Sequence, residues 1–373
     1  MRAPVAPRVI HVSQPVDAGV AHVLAALLED QAAAGWSVRL ICPAGWLSER
    51  AADLGVPWSR WDAGRSPGPA VPREVRQLAR LLAEAPADLV HLHSSKAGLT
   101  GRLALRGRRP TVFQPHAWSF SAVGGPTATA ALAWERAATR WTDLQLCCSA
   151  EEQRIGRQRG IGGRSQVVPN GVDLARFAVA GPQERQHARA RLGLSDDVPV
   201  AVCVGRLSAQ KGQDVALRAW PTVRAHLPGA TLLLVGEGPD RAALETGSGP
   251  GVRLLGHRDD VADVLAAADL ALLPSRWEGL ALALLEAMAR GLPVVTTEVG
   301  GSRSTLLEGG LPPAGAVVPV DDPAALARAV GARLASPDLA RGEGAAGRSR
   351  IERDHDLRRT SAALREVCAS LLV

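Results

Sequence analysis

Residues 270–296 read LALLPSRWEGLALALLEAMARGLPVVT, and this segment carries the repeating element of the fold. A short apolar run and a turn precede a helical run over residues 280–289, which Gly291 and Pro293 end. A second strand-like run follows at residues 294–296. A strand, a helix and a strand in this order predict one repeat of a parallel α/β sheet.

Two carboxylates lie eight residues apart in this segment. Glu278 falls in the turn and Glu286 falls two turns along the helix. Eight residues at about 100° each bring Glu286 to within roughly 80° of the direction of Glu278. Both carboxylates can therefore border one cleft at the helix N-terminus, where a phosphate binds favourably. Paired acids also define glycosidases, so the carboxylates alone leave a hydrolase open.

The same alternation of short apolar runs and helical spacers fills the rest of the chain. Strand-like runs occupy residues 8–13, 38–42, 89–93, 111–114, 144–148, 198–204, 231–235, 252–254, 270–273 and 294–296. The rhythm pauses after residue 170, which predicts two doubly wound domains, 1–170 and 171–355, and a C-terminal helix, 356–373, that packs back on the first. The glycine-rich stretches at 247–251 and 342–347 are predicted turns. Because ligands of open parallel sheets bind beyond the strand carboxyl ends, the inter-domain cleft is the predicted site.

Composition excludes several protein classes. The 373 residues are 46% hydrophobic with a mean hydropathy of +0.03, and no apolar run reaches the ~18 residues typical of a membrane span. Residues 1–8 lack the pattern of a secretion signal. The five cysteines are odd in number and include no Cys-x-x-Cys pair, which predicts buried thiols in a reducing cytoplasm.

The positive charge is concentrated in the first half of the chain. Residues 1–170 hold 20 Lys and Arg against 13 Asp and Glu, whereas residues 171–373 hold 23 against 24. This excess predicts an anionic partner, such as a lipid head group at the inner face of the membrane or a phosphorylated acceptor. A nucleic acid is disfavoured because no recognition motif is present, and solvated surface charge is the alternative. Only Lys96 and Lys211 are lysines, so each is a candidate for a site that needs a compact ammonium.

A phosphate-binding pattern opens the second half. Residues 204–212 follow a buried run and precede a helix, and they contain Gly205, Arg206 and Lys211. A glycine that permits close approach, with two cations beside a helix N-terminus, predicts a pyrophosphate clamp that needs no metal. The spacing of a Walker loop is absent. A basic surface turn is the alternative interpretation.

Two further turns follow predicted strands. Gly236 begins a Gly-x-Gly turn, which is weak evidence by itself for a ligand contact. His257 and Arg258 follow the next strand, where backbone groups can meet a nucleotide base, and a solvated turn is the alternative for His257. Asp354-His355-Asp356 is the only Asp-x-Asp triplet, and its place in a helical region predicts surface polarity and no metal site.

In order and spacing, these motifs resemble those of the retaining glycosyltransferases of family 4. The resemblance rests on Gly-Arg-Leu-x-x-x-Lys-Gly, Val-Gly-x-Gly-Pro, Leu-Gly-His and Pro-Ser-x-x-Glu-Gly with a second Glu eight residues on. It implies the α/β GT-B fold, with two Rossmann-like domains facing across a cleft and a C-terminal helix crossing back. It also implies a cytoplasmic hexosyl- or N-acetylhexosaminyltransferase without a cofactor. Its expected substrates are a nucleotide sugar, with UDP favoured, and a lipid-linked or cell-surface glycan precursor.

The resemblance assigns roles in the second domain. Arg206 and Lys211 would hold the donor diphosphate, Glu286 the ribose hydroxyls, and Glu278 the donor sugar. The backbone around the helix start would bind the phosphates and sugar through Gly279, Leu280, Ala281 and Leu282. The family often has Phe-Gly where this chain has Leu280-Ala281, so the added methyl is expected to affect the fit of the donor sugar.

The first domain resembles the family more loosely. Gly19 remains where members often carry Gly-Gly, which makes it the expected close-approach residue, and His116 is the expected contact to the donor sugar, followed by Ala117 where the family has glycine. Ser94 and Lys96 lie in a segment like that of bacterial members that extend lipid-linked saccharides, which makes them candidate acceptor-binding residues. A helix cap for Ser94 and plain exposure for Lys96 are the alternatives.

Three other functions stay open on the sequence. A nucleotide-sugar epimerase or a phosphorylase would share the phosphate clamp. A nucleotide-sugar sensor without catalysis would keep the donor site, although the intact charged residues argue against it. A basic nucleic-acid binder is the remaining alternative.

Overall fold

The computed structural model describes residues 6–372. The expectation about a secretion signal falls largely on residues 1–5, which lie outside the described residues. The chain divides into two compact units: unit 1 comprises Met1–Asn170 and Leu357–Val373, and unit 2 comprises Gly171–Asp356. Each unit is built on one parallel sheet with helices between its strands, so the predicted doubly wound α/β class is confirmed.

Unit 1 is built around seven strands. The strands are β1 Arg8–Ser13, β2 Ser37–Cys42, β3 Trp58–Arg60, β4 Leu89–His93, β5 Thr111–Gln114, β6 Leu144–Cys147 and β7 Ser165–Val167. The α-helices are α1 Ala18–Ala33, α2 Trp46–Asp53, α3 Val71–Ala83, α4 Ser94–Leu105, α5 Gly125–Ala138, α6 Ala150–Gln158 and α15 Leu357–Ala369. The strand order is β3-β2-β1-β4-β5-β6-β7, so the order reverses between β1 and β4.

The central strands of unit 1 are buried on both faces. Apart from Arg8 at the start of β1, the two strands read VIHVS and LVHLH and are buried throughout, as expected for parallel strands covered by helices. Their pairing sets His11 opposite His91. This register matters for the site because it aligns histidines of two neighbouring strands.

Unit 2 is built around six strands. The strands are β8 Val200–Val204, β9 Thr231–Val235, β10 Val252–Gly256, β11 Leu270–Leu273, β12 Val294–Thr297 and β13 Gly315–Val318. The helices are α7 Pro182–Arg191, α8 Gln213–His226, α9 Arg241–Gly247, α10 Val261–Ala267, α11 Leu282–Ala289, α12 Ser302–Leu307, α13 Pro323–Leu334 and α14 Pro337–Asp354. The strand order is β10-β9-β8-β11-β12-β13, which reverses between β8 and β11.

Helix α11 begins two residues later than the sequence predicts. Ala281 is its N-cap with extended backbone angles, so residues 279–281 belong to the turn. The helix buries Leu284, Leu285 and Met288, and it ends before Gly291, whose φ of 77° suits glycine.

The prediction for residues 342–347 is wrong. They lie inside α14, where glycine has a packing role: a Cβ on Gly344 would lie 1.9 Å from the carbonyl oxygen of Gly291. The strands β3, β7 and β13 were not predicted. All three are edge strands of three or four residues. β3 and β7 contain polar residues and are only partly buried, so their apolar signal is weak, whereas β13 reads GAVV and is an apolar run that the prediction omits.

Helix α15 packs within unit 1. Its Leu364 and Cys368 share an apolar cluster with Val9 of β1, and Arg365 Nε lies 2.8 Å from Asp30 on α1. All five cysteines are buried and free, as predicted. Across residues 6–372, every helix is too short or too polar to cross a bilayer.

Candidate functional site

The point where the strand order of unit 2 reverses brings two loops together. β8 and β11 pair side by side, and the loops that follow them carry Lys211 and Glu278. Lys211 Nζ lies 2.5 Å from Glu278 Oε1, which also accepts a hydrogen bond of 2.9 Å from Ser275 Oγ. The carboxyl edge at such a reversal is the usual ligand site of an open parallel sheet.

A glycine fixes how closely these two loops approach. Gly212 has a φ of 65°, and a Cβ there would lie 2.1 Å from the carbonyl oxygen of Pro274. Gln210 joins the loops again, because its side-chain nitrogen donates to Trp277 O at 3.0 Å and its carbonyl accepts from Arg276 N at 2.7 Å. Gly205 leaves room for the Lys211 side chain, whose carbons lie 3.4–3.5 Å from the position that a Cβ would take there.

Two charged groups of the site lack a partner among residues 6–372. The Arg206 guanidinium and the Glu286 carboxylate make no hydrogen bond or ion pair with any described residue. Burial raises the pKa of Glu286 to about 7, against the opposing positive charges of Arg176 and Lys211. Unpaired charges at a ligand edge are available to bind a ligand of opposite charge or with hydrogen-bond donors.

The turn that begins at Gly236 supports the clamp through backbone contacts. A Cβ on Gly236 would lie 2.2 Å from Gly205 O, and one on Gly238 would lie 2.1 Å from Leu207 O. Leu207 N donates to Glu237 O at 3.0 Å. Both glycines therefore serve loop-to-loop packing, which explains the Gly-x-Gly pattern without a bound ligand.

The start of α11 borders a small pocket. Ser275, Glu278 and Ala281 line it, whereas Leu280 is buried in the protein. Ala281 has a φ of −70°, so alanine fits this backbone without strain. The first-turn residue Leu282 contributes one of the amides that a helix N-terminus leaves without intrahelical partners.

A second glycine pair packs on the Glu278 turn. Gly300 has a φ of 49°, and a Cβ there would lie 2.2 Å from the carbonyl oxygen of Gly279. Gly301 N donates to the same oxygen at 2.9 Å. The loop after β12 thus holds the backbone of Glu278 and Gly279 in place.

The two residues predicted at the turn after β10, His257 and Arg258, pair with neighbours in their own turn and not with Lys211 or Glu278. The His257 side chain is 74% exposed and its Nε2 lies 3.1 Å from Asp259 Oδ1. Arg258 pairs with Asp260 at 2.5 Å and borders a shallow pocket beside α7 and α10. The solvated-turn interpretation describes the His257 side chain, so a role in base binding rests on the backbone.

Lys96 occupies a different environment from the one expected. Its side chain is 3% exposed, and its Nζ lies 2.7 Å from Glu74 Oε2, which is equally buried. The expected plain exposure of Lys96 is therefore wrong, because its ammonium is buried in an ion pair between α3 and α4. The acceptor role stays a prediction, since an ammonium has three donors and the bond to Glu74 uses one of them. Ser94 makes no cap; it has a φ of 75° and its Oγ is buried without a partner among the described residues.

In the loops at the carboxyl edge of the unit 1 sheet, residues other than glycine adopt positive φ values. Ala18 has a φ of 55°, His116 of 55° and Ala117 of 121°, whereas Gly19 is absent from the positive-φ set and lies in the first turn of α1. The position that needs glycine-like freedom is therefore Ala18. Each of these strained residues costs about 1–3 kcal/mol.

Four histidines meet beneath these loops. His11 Nδ1 lies 3.0 Å from His93 Nε2, and His93 Nδ1 lies 3.4 Å from His116 Nε2. His91 stacks beside His93 with ring centroids 3.9 Å apart. Burial lowers the pKa of His11 and of His116 to about 4, and burial with the neighbouring histidines lowers the pKa of His91 and of His93 well below 6.5, so all four rings are neutral at pH 7.

The Asp-x-Asp triplet, residues 354–356, lies at the end of α14 and not in the loops that carry Lys211 and Glu278. Asp354 is exposed and pairs with Arg353 at 2.7 Å at the end of α14. Surface polarity therefore describes Asp354, whereas His355 is buried and its carbonyl accepts a hydrogen bond from Val172 N at 2.8 Å.

Two family models match the chain. Residues 18–176 match the model described as Glycosyltransferase Family 4, and residues 198–336 match the one described as Glycosyl transferases group 1. The D-inositol 3-phosphate glycosyltransferase 1 of Catenulispora acidiphila is 33% identical over 72% of this chain and 69% of its own length. The chain belongs to glycosyltransferase family 4.

Other relatives of this glycosyltransferase act on different donors. A GDP-mannose-dependent monoacylated phosphatidylinositol monomannoside mannosyltransferase of Corynebacterium glutamicum is 36% identical over 50% of this chain and 51% of its own length. A UDP-Gal:diphosphoundecaprenol-linked GlcNAc galactosyltransferase of Escherichia coli is 32% identical over 60% of this chain and 61% of its own. The chain thus aligns with only half to three fifths of these two relatives.

Solved structures share the fold across the whole chain. Anabaena HepE in complex with UDP and glucose has a TM-score of 0.83 at 21% identity and covers 98% of this chain and 100% of its own. Sucrose-phosphate synthase from Thermosynechococcus elongatus has a TM-score of 0.81 at 24% identity, with coverages of 98% and 99%. The fold of this glycosyltransferase is therefore GT-B.

The sequence missed several residues that shape the sites of this glycosyltransferase. Ser275 and Gln210 were not singled out, and the signal for both was their position in loops after buried strands. Gly300 was signalled by a Gly-Gly pair directly after β12. The signal for His11 was a polar residue inside an apolar strand-like run. That strand pairs with β4, which carries His91 and His93.

Proposed function

We propose that this chain transfers a sugar from a nucleotide sugar, with a UDP-sugar favoured, to a hydroxyl of a lipid-linked or cell-surface glycan precursor. The transfer is proposed to be hexosyl or N-acetylhexosaminyl transfer, with retention of the anomeric configuration and no divalent metal. Unit 2 is proposed to bind the donor and unit 1 the acceptor, in the cytoplasm or at the inner face of the membrane.

One observation carries the donor assignment. Arg206 and Glu286 find no partner in the described part of the chain, and they belong to the same ligand edge as the Lys211–Glu278 ion pair. A guanidinium fits a diphosphate, and a carboxylate accepts hydrogen bonds from two ribose hydroxyls. One nucleotide would therefore provide a partner for both side chains, its diphosphate for Arg206 and its ribose for Glu286.

The ion pair suggests how the donor sugar and diphosphate are accommodated. Glu278 Oε1 already accepts from Lys211 and Ser275. When a diphosphate arrives, Lys211 can donate to phosphate while Ser275 continues to hold the carboxylate. Glu278 then presents its second oxygen to a sugar hydroxyl.

The chemistry needs charge stabilisation more than acid catalysis. A nucleotide sugar carries a good leaving group, so the main demand is to stabilise charge that develops on the diphosphate as the glycosidic C–O bond breaks. In the proposed step the acceptor oxygen attacks from the leaving-group face, and the departing phosphate oxygen takes the acceptor proton. His116 is proposed to contact the donor sugar.

A panel of donors tests this function. We expect one nucleotide sugar among UDP-, GDP- and ADP-sugars to raise the melting temperature, because a bound donor stabilises the fold by RT ln(1 + [L]/Kd), about 2.7 kcal/mol at 100 times Kd. GDP-mannose is the competing donor, since two relatives are GDP-mannose-dependent. No response to any donor, at concentrations that stabilise a related transferase, would contradict the proposal.

Incubation with the stabilising donor alone separates the alternatives. An epimerase would convert the sugar without an acceptor, and a sensor would leave it unchanged even with one. We expect slow hydrolysis at most without an acceptor, and transfer to a polyprenyl-diphosphate-linked saccharide.

Metal independence follows from the same cations. Arg206 and Lys211 supply positive charge where a metal-dependent transferase would use a divalent ion. We expect added Mg²⁺ or Mn²⁺ to change the transfer rate by less than about twofold, and strict dependence on either ion would contradict the clamp.

Unit 1 carries a surface suited to an anionic membrane. Arg73, Arg76 and Arg80 are exposed on α3 at helical spacing, while Leu78 and Leu82 face the core. Each basic residue near an anionic bilayer contributes about 1 kcal/mol. We expect sedimentation with vesicles that contain anionic lipid, reduced by Arg73→Gln/Arg76→Gln/Arg80→Gln, and no change with purely zwitterionic vesicles.

A further inference from the structure

Three histidines of unit 1 converge at one buried point. His91 and His93 lie on β4 with one residue between them, so both face the same side of the sheet, and His11 lies opposite His91 on β1. Each of the three offers one ring nitrogen, and these nitrogens all lie within 4.8 Å of one another. All three side chains are fully buried.

Hydrogen bonds inside the protein leave this cluster incomplete. Neither ring nitrogen of His91 has a hydrogen-bond partner among the described residues, and the same holds for both side-chain polar atoms of Gln114. The Gln114 side chain raises the pKa of His91, against the larger lowering by burial, but the two side chains are not in hydrogen-bonding geometry. A buried polar group without a partner costs about 1–3 kcal/mol, so several such groups at one point indicate a missing ligand.

We propose that His11, His91 and His93 bind one divalent transition-metal ion, with zinc preferred, at the carboxyl end of β1 and β4. Three imidazoles and an open fourth position form a common ligand set for zinc, and nitrogen ligands favour zinc, copper and nickel over magnesium. All three ligands belong to unit 1, whereas the clamp residues Arg206 and Lys211 belong to unit 2, so the proposed ion is distinct from the metal-free clamp.

The outer contacts of the histidines fit this role. His11 Nε2 lies 2.8 Å from Gln31 Oε1, so this nitrogen carries the proton and Nδ1 keeps its lone pair for a metal. His93 uses Nε2 toward the cluster and turns Nδ1 toward His116 at 3.4 Å. Such outer partners fix the tautomer of metal-binding histidines in general.

The distances also suit a metal. His11 Nδ1 and His93 Nε2 form a hydrogen bond of 3.0 Å, which a metal ion would replace, with release of the shared proton. Their separation is close to the ~3.3 Å between nitrogens that zinc bonds of about 2.0–2.1 Å require. The third ligand, His91, has a ring nitrogen within 4.8 Å of both. The competing occupant is buried water, which would also satisfy His91 and Gln114.

Metal titration distinguishes a metal ion from buried water. The tag-free full-length protein is first treated with a chelator and then dialysed. We expect zinc to bind at one equivalent and to raise the melting temperature, and cobalt to give the visible absorption of a four-coordinate nitrogen site. Binding of neither metal by the folded wild-type protein would overturn the proposal in favour of water.

Variants locate the site. His91→Gln and His93→Gln should each weaken zinc binding by more than the roughly 10–100-fold that loss of an outer partner costs, and Gln31→Leu should weaken it within that range. His257→Gln is the matched control, because its exposed ring should leave zinc affinity unchanged. Unaltered affinity in His91→Gln and His93→Gln would overturn the assignment, and if either variant fails to fold, Gln31→Leu and the wild-type titration decide.

Discussion

The chain has two lysines, and comparing them separates the roles of the two units. Lys96 of unit 1 pairs with Glu74 where both side chains are 3% exposed. Lys211 of unit 2 pairs with Glu278 at the open edge of its sheet, where the side chains are 20% and 11% exposed. The first pair is sealed inside the protein, while the second belongs to the ligand edge that also carries Arg206. Residue type alone therefore does not distinguish a structural lysine from a ligand-binding one.

The two units also differ in which residues adopt glycine-like backbone angles. In unit 2, Gly212 and Gly300 let neighbouring loops come within contact distance of each other's carbonyl oxygens. In unit 1, Ala18, His116 and Ala117 adopt positive φ values at the equivalent edge of the sheet. At these two positions of unit 2 glycine lets the loops meet without strain, although Asp321 of the same unit has a φ of 58°. Unit 1 instead holds strained residues over a buried cluster.

The largest expected effect is on the sealed pair. Lys96→Met leaves Glu74 buried with only the Gly64 amide, at 2.8 Å from Oε1, as a partner among the described residues, so we expect unfolding free energy to fall by about 3–5 kcal/mol. Urea unfolding measures the loss. The double variant Lys96→Met/Glu74→Leu should recover most of it, and Lys211→Met should cost less than Lys96→Met, because the Lys211–Glu278 pair is more exposed. Equal losses for the two lysines would remove the distinction between the pairs.

The next effect is on turnover. Arg206→Ala should lower kcat by about 100-fold or more, equivalent to about 2.7 kcal/mol, because the guanidinium stabilises charge on the leaving diphosphate. Its melting temperature should stay near that of the wild type, since Arg206 has no described side-chain partner to lose. Arg253→Ala, on an exposed position of β10, is the control with normal turnover. Near-normal turnover in Arg206→Ala would refute the clamp.

Loop contact in unit 2 is tested by adding one methyl group. Gly212→Ala places a Cβ against Pro274 O in a left-handed backbone, so we expect a loss of about 2 kcal/mol in stability together with weaker donor binding. Gly249→Ala has no atom within 4 Å of the new Cβ and should be close to neutral. If both variants behave alike, the close approach of the two loops is not what Gly212 provides.

The fold was largely predictable because strand-like runs such as residues 89–93 coincide with observed strands, whereas the edge strands β3 and β7 are too short and too polar to give a signal. The position of Arg206 and Lys211 directly after a buried strand was also predictable, and their role in donor binding is a proposal. What the sequence could not specify was pairing: Lys96 finds Glu74 on another helix, and His11 meets His91 only through the register of two strands. Long-range contacts of this kind carry no local pattern.

The pH dependence of stability should have opposite signs at the two sites. The pKa of Glu286 is raised from 4.5 to about 7, so its contribution is fully present below pH 4.5 and is lost as pH rises toward 7. We expect wild type to lose stability relative to Glu286→Gln across this range, by about 1.4 kcal/mol for each unit by which the pKa is raised. The lowered pKa values of His11 and His116, about 4 against 6.5, act in the reverse direction, so their contribution is lost as pH falls from 6.5 to 4. A flat difference between wild type and Glu286→Gln in calorimetry would contradict the raised pKa.

The smallest effect tests the strain in unit 1. Ala117 has a φ of 121°, and its amide is held by a hydrogen bond of 2.7 Å to buried Glu152 Oε1, so the backbone cannot relax. Ala117→Gly removes about 1–3 kcal/mol of strain but adds roughly 0.4–1 kcal/mol of unfolded-state entropy, which leaves a net gain of about 1 kcal/mol. Ala122→Gly, at a φ of −92°, gains nothing from relief and should lose stability by that entropy alone. Opposite signs for two Ala-to-Gly changes five residues apart would show that unit 1 holds strain where unit 2 uses glycine, and a loss in both would show that alanine fits this loop.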